Sequence, residues 1–158
     1  MPRVVANTTP LIAFAKVDRL DILHRLYGEL LIPEAVLSEV KYEPARTRVC
    51  EASWIRVVPI KDAERRRMFS ARLHAGEVDV MILAREEGAD LVLMDDNAAK
   101  KTAKFLGFNV TGTFGVLLRA KREGIIDSVR ELVDAIIADG FHASPELRRL
   151  VLKMAGEL

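Results

Sequence analysis

Five short apolar runs punctuate this chain, and between them apolar residues return every three or four positions. That alternation constrains the fold more than any other feature, because extended segments separated by helices are what a mostly parallel, helix-covered sheet requires. The runs fall at residues 3–6, 30–32, 55–58, 91–94 and 108–111. The fourth is the most informative. Its LVLM has no polar interruption, as expected of a central strand buried on both faces, and Asp95 and Asp96 follow it directly. The fold expected is a three-layer α/β sandwich, with a central, mostly parallel sheet of about five strands flanked by helices.

The helical signals between the runs have identifiable starts and stops. Pro33 suits a first helical position, and PEAVLSEV puts Val36 and Val40 on one face of the second long helix, with Glu39 on a neighbouring side. Residues 77–87 carry Val80, Leu83 and Ala84 at helical spacing before Gly88 stops them, and residues 113–123 are ended by Gly124. Asp127 is placed to cap the next helix, which Gly140 closes, and Pro145 opens a last helix to about residue 155. Residues 41–54 read as helix on composition alone. The chain has 158 residues, no repeat and no linker-like interior tract. It therefore reads as one domain over residues 1–158, with C-terminal helices from about 127 to 156 packed on it.

Composition narrows the functions available. With 24 basic and 23 acidic side chains the net charge is +1, so any nucleic-acid binding must be local rather than driven by the whole-molecule field. An aromatic content of 6%, with Trp54 the one tryptophan, argues against a surface that stacks many bases. Cys50, the single cysteine, excludes an internal disulfide or a thiolate cluster and reads as a small buried or half-buried residue. His24, His74 and His142 lack metal-ligand spacing such as HExxH, which disfavours histidine-bound zinc; His74 alone lies near a candidate site. Lys100, Lys101 and Lys104, then Arg119, Lys121 and Arg122, then Arg65, Arg66 and Arg67 are basic groups that also read as solvated faces, and the last three cannot all face one partner. The N-terminal MPRVVANTTPLIAF lacks the features of a secretory signal, and no apolar run approaches the roughly 20 residues of a spanning helix. The expectation is a cytoplasmic protein without membrane contact.

In an open parallel sheet, ligands bind beyond the carboxyl ends of the strands. Asn7, Thr8 and Thr9 follow the first run, and Asp95 and Asp96 follow the fourth. With Glu39 on one helix and Glu77 and Asp79 at the start of another, up to five carboxylates and one carboxamide come from four segments. Hard divalent cations take such oxygen ligands, usually one or two carboxylates with waters and substrate phosphates. An ion held this way activates water and shields phosphate charge. Two other uses of paired acids fit poorly. A phosphate-accepting receiver carries its acid pair after the first strand, where this chain has Asn7, and an aspartate-nucleophile phosphatase needs Asp-x-Asp-x-Thr, where this chain reads Asp95, Asp96, Asn97, Ala98, Ala99. TGTFG lacks the lysine and spacing of a P-loop, so Gly112 and Gly115 read as a tight turn and close packing.

Four stretches, VVANTTPLIAFAKVDRLDIL, LIPEAVLSEV, HAGEVDVMILAREEGADLVLMDDNAAKKTAKFLGF and VTGTFGVLLRAKREGII, with the C-terminal GFHASPELRRLVL, together resemble the PIN-domain family. Within it they resemble a branch related to the toxin nucleases of toxin-antitoxin pairs (VapC-like systems). The resemblance covers most of the chain. It implies a ribonuclease dependent on Mg²⁺ or Mn²⁺, with RNA as substrate, an antitoxin protein as partner and a homodimer as the assembly. Carried over residue by residue, Glu39, Glu77, Asp79, Asp95 and Asp96 become the catalytic and metal-holding acids. Glu77 or Asp79 matches the family's third acid, and Asp95 or Asp96 its fourth. Thr8 and Thr9 match the hydroxyl residues after the first acid, and Thr113 a hydroxyl-bearing turn; with Lys100 and Lys104 they are the substrate-binding candidates. Asn7 departs from the pattern, standing where the family usually has its first aspartate. A carboxamide oxygen still coordinates an ion but brings no charge, so the alternative is a catalytically impaired RNA- or protein-binding module.

Overall fold

The computed structural model describes residues 2–69 and 72–158. Strands β1 (Val4–Ala6), β2 (Leu30–Ile32), β3 (Ile55–Val57), β4 (Leu91–Leu93) and β5 (Val110–Thr111) form one sheet in the order β3-β2-β1-β4-β5, and every pairing is parallel. Its inner strands β2, β1 and β4 are the unbroken apolar runs, buried almost throughout, because helices cover both faces. On the edge strand β3, Arg56 and Val57 are exposed.

Nine helices are seen among the described residues: α1 (Thr8–Lys16), α2 (Leu20–Tyr27), α3 (Glu34–Glu39), α4 (Ala45–Glu51), α5 (Ala75–Glu87), α6 (Asn97–Phe105), α7 (Thr113–Arg122), α8 (Arg130–Ala138) and α9 (Pro145–Met154). A 3₁₀ segment, Ala63–Met68, precedes α5. The result is a three-layer α/β fold of the expected class. Helix α5 packs on β1 and α3, while α1 packs on α2, α4, α7 and α8. All residues of α5 from Gly76 to Ala84 are buried. A helix apolar around its circumference belongs inside, and it carries its two acids inside with it.

Some boundaries differ from expectation for local reasons. The first, third, fourth and fifth strands are one or two residues shorter than their apolar runs. Pro33 sits one position before α3 with extended backbone, and α3 is six residues rather than a long helix. Asp127 does not cap α8, which starts at Arg130. The Glu157 carboxylate takes that role from the far end of the chain, accepting from Val129 N at 2.8 Å and Arg130 N at 3.1 Å. Cys50 is exposed, because Ala45 and Val49 occupy the inward face of α4. In α9, Val151 packs inward while Leu147 and Leu150 are 39% and 52% exposed. Among the described residues no helix is long and apolar enough to cross a membrane.

Candidate functional site

Sheet order places the chemistry. The chain leaves β1 toward β2 on one side, and β4 lies on the other, so the carboxyl ends of β1 and β4 meet at the switch point where α/β sheets open a crevice. Ala6 is in register with Leu93, and Asn7 N donates to Leu93 O at 2.8 Å. The residues after each strand, Asn7 to Thr9 and Asp95 with Asp96, are therefore neighbours.

A pocket of about 240 Å³ at this edge is lined by Asn7, Thr8, Thr9, Glu39, His74 and Glu77. Thr8 Oγ1 donates to Glu39 Oε2 at 2.5 Å, fixing that carboxylate across from β1. Gly76 lets it approach: a Cβ there would come within 2.5 Å of Glu39 Oε1. Glu77 is 6% exposed, and its Oε1 accepts from His74 N at 2.9 Å, the local half of a capping box at the start of α5. Burial holds the Glu77 carboxyl above the usual glutamate range, and the negative charges of Asp96 and Glu39 push the same way, while the hydrogen bond from His74 N opposes them. Glu39, Glu77 and Asp96 therefore share one electrostatic neighbourhood.

The other expected acids face elsewhere. Asp79 stands two positions beyond Glu77, about 200° around the helix. It receives both Nε and Nη2 of Arg66 at 2.9 Å, beside a different pocket lined by Pro33, Ser38 and Ile60. Asp95 turns from Asp96 toward β5, where Thr113 N donates to Oδ1 at 2.8 Å and Thr113 Oγ1 to Oδ2 at 2.6 Å. Burial raises the Asp95 carboxyl, and the two Thr113 bonds and the Lys100 charge partly counter it. Asp96 is exposed and caps α6 through Ala99 N at 3.0 Å.

The basic candidates separate in the same way. Arg65, Arg66 and Arg67 pair with three different acids, Asp62, Asp79 and Glu64. Arg119 pairs with Glu123, and Lys121 with Glu157. Lys100 reaches the β5–α7 turn, where a Cβ on Gly112 would meet Lys100 Nζ at 2.9 Å and Asp95 Oδ1 at 2.8 Å. Gly112 and Gly115 are the close-packing positions the sequence suggests, and Lys101 and Lys104 are exposed.

The family model for the PIN domain matches residues 3–157. The chain belongs to the PIN-domain family. No curated protein matches it. PIN domains are a nuclease fold, and PIN nucleases generally use divalent metals, so the pocket's donors bear directly on such an ion. Among the described residues, no three histidine, cysteine, aspartate or glutamate side chains are gathered closely enough to hold an ion on their own. The PIN pocket here is mixed instead. Asn7 is 5% exposed, and its Oδ1 is buried without a hydrogen-bond partner beside Glu39 and Glu77. A neutral oxygen and two carboxylates, open to water on one side, form a donor set of the kind hard cations accept.

Sequence reasoning missed two residues of this PIN fold. Gly76 was detectable as a glycine in the first turn of a helix, and Arg66 was hidden among three arginines. Arg66→Ala leaves the Asp79 carboxylate, 6% exposed, without its partner. The expected cost is about 2 kcal/mol, toward the low end for a broken buried pair because the guanidinium is half exposed. Arg65→Ala, which breaks a surface pair, should cost no more than about 0.5 kcal/mol. Urea unfolding of both variants checks the difference.

Proposed function

We propose that this PIN domain is a divalent-metal-dependent phosphodiesterase acting on RNA, with Mg²⁺ or Mn²⁺ taken up by Asn7, Glu39 and Glu77 together with waters and substrate phosphate, and with Asp96 acting from beside the pocket. The observation that carries the reading is the buried, unpartnered Asn7 Oδ1. A sealed acceptor needs a donor or a cation, and beside two carboxylates a cation is the complement. A bound ion there supplies an acidified water and shields the phosphate charge.

The chain's own residues do the rest. Thr8 fixes Glu39 by donating to it, and the His74 N–H fixes Glu77. Asp96, exposed at the rim, adds charge on the substrate side. Asp95 keeps the β5–α7 turn closed through Thr113, and Asp79 anchors the 3₁₀ segment through Arg66. Both act on the site by positioning. Thr9 and Lys100 flank the strand's approach, and the exposed Lys104 adds charge further along α6. The resemblance to toxin nucleases supports a cytoplasmic toxin, a homodimer, and an antitoxin whose peptide fills the acidic pocket.

Purified protein with single-stranded RNA and Mn²⁺ is expected to give cleavage that a chelator stops and that Asp96→Ala removes without loss of fold. A second reading, a non-catalytic module that binds RNA or protein, is favoured by the missing charge at Asn7. Absence of cleavage with every divalent ion, alongside retained RNA or protein binding, would establish it instead.

A further inference from the structure

The acidic pocket does not stand alone. Thr9 also lines a cleft of about 210 Å³ between α1 and α8, whose other walls include Lys16, Gly140 and Phe141. Phe141 in turn lines a groove of about 550 Å³ that takes in Lys100, Gly112, Phe114 and His142 and ends at Asp95, the neighbour of Asp96. Three concavities thus run in series from Asn7, joined by shared residues, with the Phe141 ring standing between the second and the third.

The ring is held in place. Phe141 N donates to Ile136 O at 3.2 Å after the positive-φ Gly140, and the Phe114 ring lies 5.0 Å away at a tilt of 49°. The Phe141 side chain is half-buried, with part of it left to the clefts. A lysine flanks it on each side. Lys16 Nζ is steadied by Asp139 O at 2.5 Å, and Lys100 Nζ lies against Gly112; among the described residues, no ion pair engages either ammonium. An aromatic face between two ammonium groups, leading to an acidic pocket, complements a chain whose bases are flat and whose backbone is anionic. Stacking platforms flanked by positive charge are how proteins hold single strands. The low aromatic content excludes many such platforms but not one.

We propose that Phe141 is a base-stacking platform for single-stranded RNA leaving the acidic pocket, with Lys16 and Lys100 meeting the phosphates on either side of it. The proposal rests on the reading of the chain as acting on RNA, and it places the substrate strand along α1, α8 and the β5–α7 turn.

The test is fluorescence anisotropy of a labelled single-stranded oligouridine of about 12 nucleotides, in excess chelator so that no cleavage occurs, with wild type, Phe141→Leu and Phe141→Trp. Leucine keeps the apolar bulk and removes the ring, and melting curves confirm that it folds. Expected are binding about tenfold weaker for Phe141→Leu and wild-type binding for Phe141→Trp, with Mn²⁺ affinity unchanged in both. Lys100→Ala should lower the slope of log affinity against log salt by about 0.7. Equal binding by wild type and Phe141→Leu, or no binding by wild type, overturns the proposal. So does a halved light-scattering mass for Phe141→Leu, which would give the groove to a second copy of the chain. Cleavage with unchanged binding in Phe141→Leu sinks the platform and keeps the nuclease. Weakened binding without any metal-dependent cleavage does the reverse.

Discussion

Glu77→Gln is expected to abolish most of the stabilisation that Mn²⁺ gives the fold, while leaving the metal-free protein as stable as wild type or slightly more so. The two effects separate because Glu77 has two roles. Its Oε1 accepts from His74 N at the start of α5, and a glutamine oxygen serves that capping position equally well. Its charge is a liability without an ion, since burial, Asp96 and Glu39 all disfavour the ionised form. With an ion bound, that charge would turn into an attraction of the same kind as that of Glu39. Outer-sphere changes around metal ligands already cost about 10–100-fold in affinity, so removing a buried charged ligand should cost at least about 100-fold. At millimolar Mn²⁺ a difference of that size appears as several degrees of lost melting shift. An equal shift in wild type and Glu77→Gln would show that Glu77 is no ligand.

Glu157→Ala should cost about 2 kcal/mol of stability, as much as breaking the Arg66–Asp79 pair, although the residue is one from the end of the chain. Its carboxylate accepts from Ser128 Oγ at 2.6 Å, Lys121 Nζ and Val129 N, and reaches Arg130 N at 3.1 Å. It ties the segment after α9 to the start of α8. Burial alone would raise this carboxyl, but the hydrogen bonds from Ser128, Val129, Lys121 and Arg130 outweigh it and hold the group at about 2, against an ordinary 4.5. A depressed carboxyl stabilises the fold fully above the unfolded value. That contribution is lost as pH falls from about 4.5 toward about 2. The full shift corresponds to about 3 kcal/mol, reduced here for the share of screening that solvent provides. Urea denaturation at pH 7 and pH 3 should show a gap between wild type and Glu157→Ala that narrows at the lower pH.

The sequence carried the sheet well because buried parallel strands are written as unbroken apolar runs, and Val4 to Ala6 and Leu91 to Leu93 lie side by side as such runs require. Asn7 and the Asp95–Asp96 pair were legible for the same reason, as polar residues just beyond those runs. Which member of each pair faces the pocket was not. Consecutive residues after a strand point to opposite sides, so only the packing of β5 and α7 turns Asp95 to Thr113 and leaves Asp96 near Glu77. On α5 the roughly 200° between Glu77 and Asp79 already separates them, but which one meets Glu39 depends on where α3 lies. Asp127 as a helix cap failed because a carboxylate 30 residues farther along, invisible to any local rule, occupies the position. The Arg66–Asp79 pair was hidden likewise, since three arginines in a row give no sign of which one reaches the core.

The proposed ion site takes Asn7 as a neutral ligand in a pocket that otherwise suits a divalent ion. Calorimetric titration of Mn²⁺ into wild type and Asn7→Asp tests it most directly. One ion per chain is expected for both, bound at least about tenfold more tightly by Asn7→Asp, since the change adds a negative charge in a buried position next to the ion. Absence of Mn²⁺ binding in both proteins, or identical affinity in the two, would contradict it.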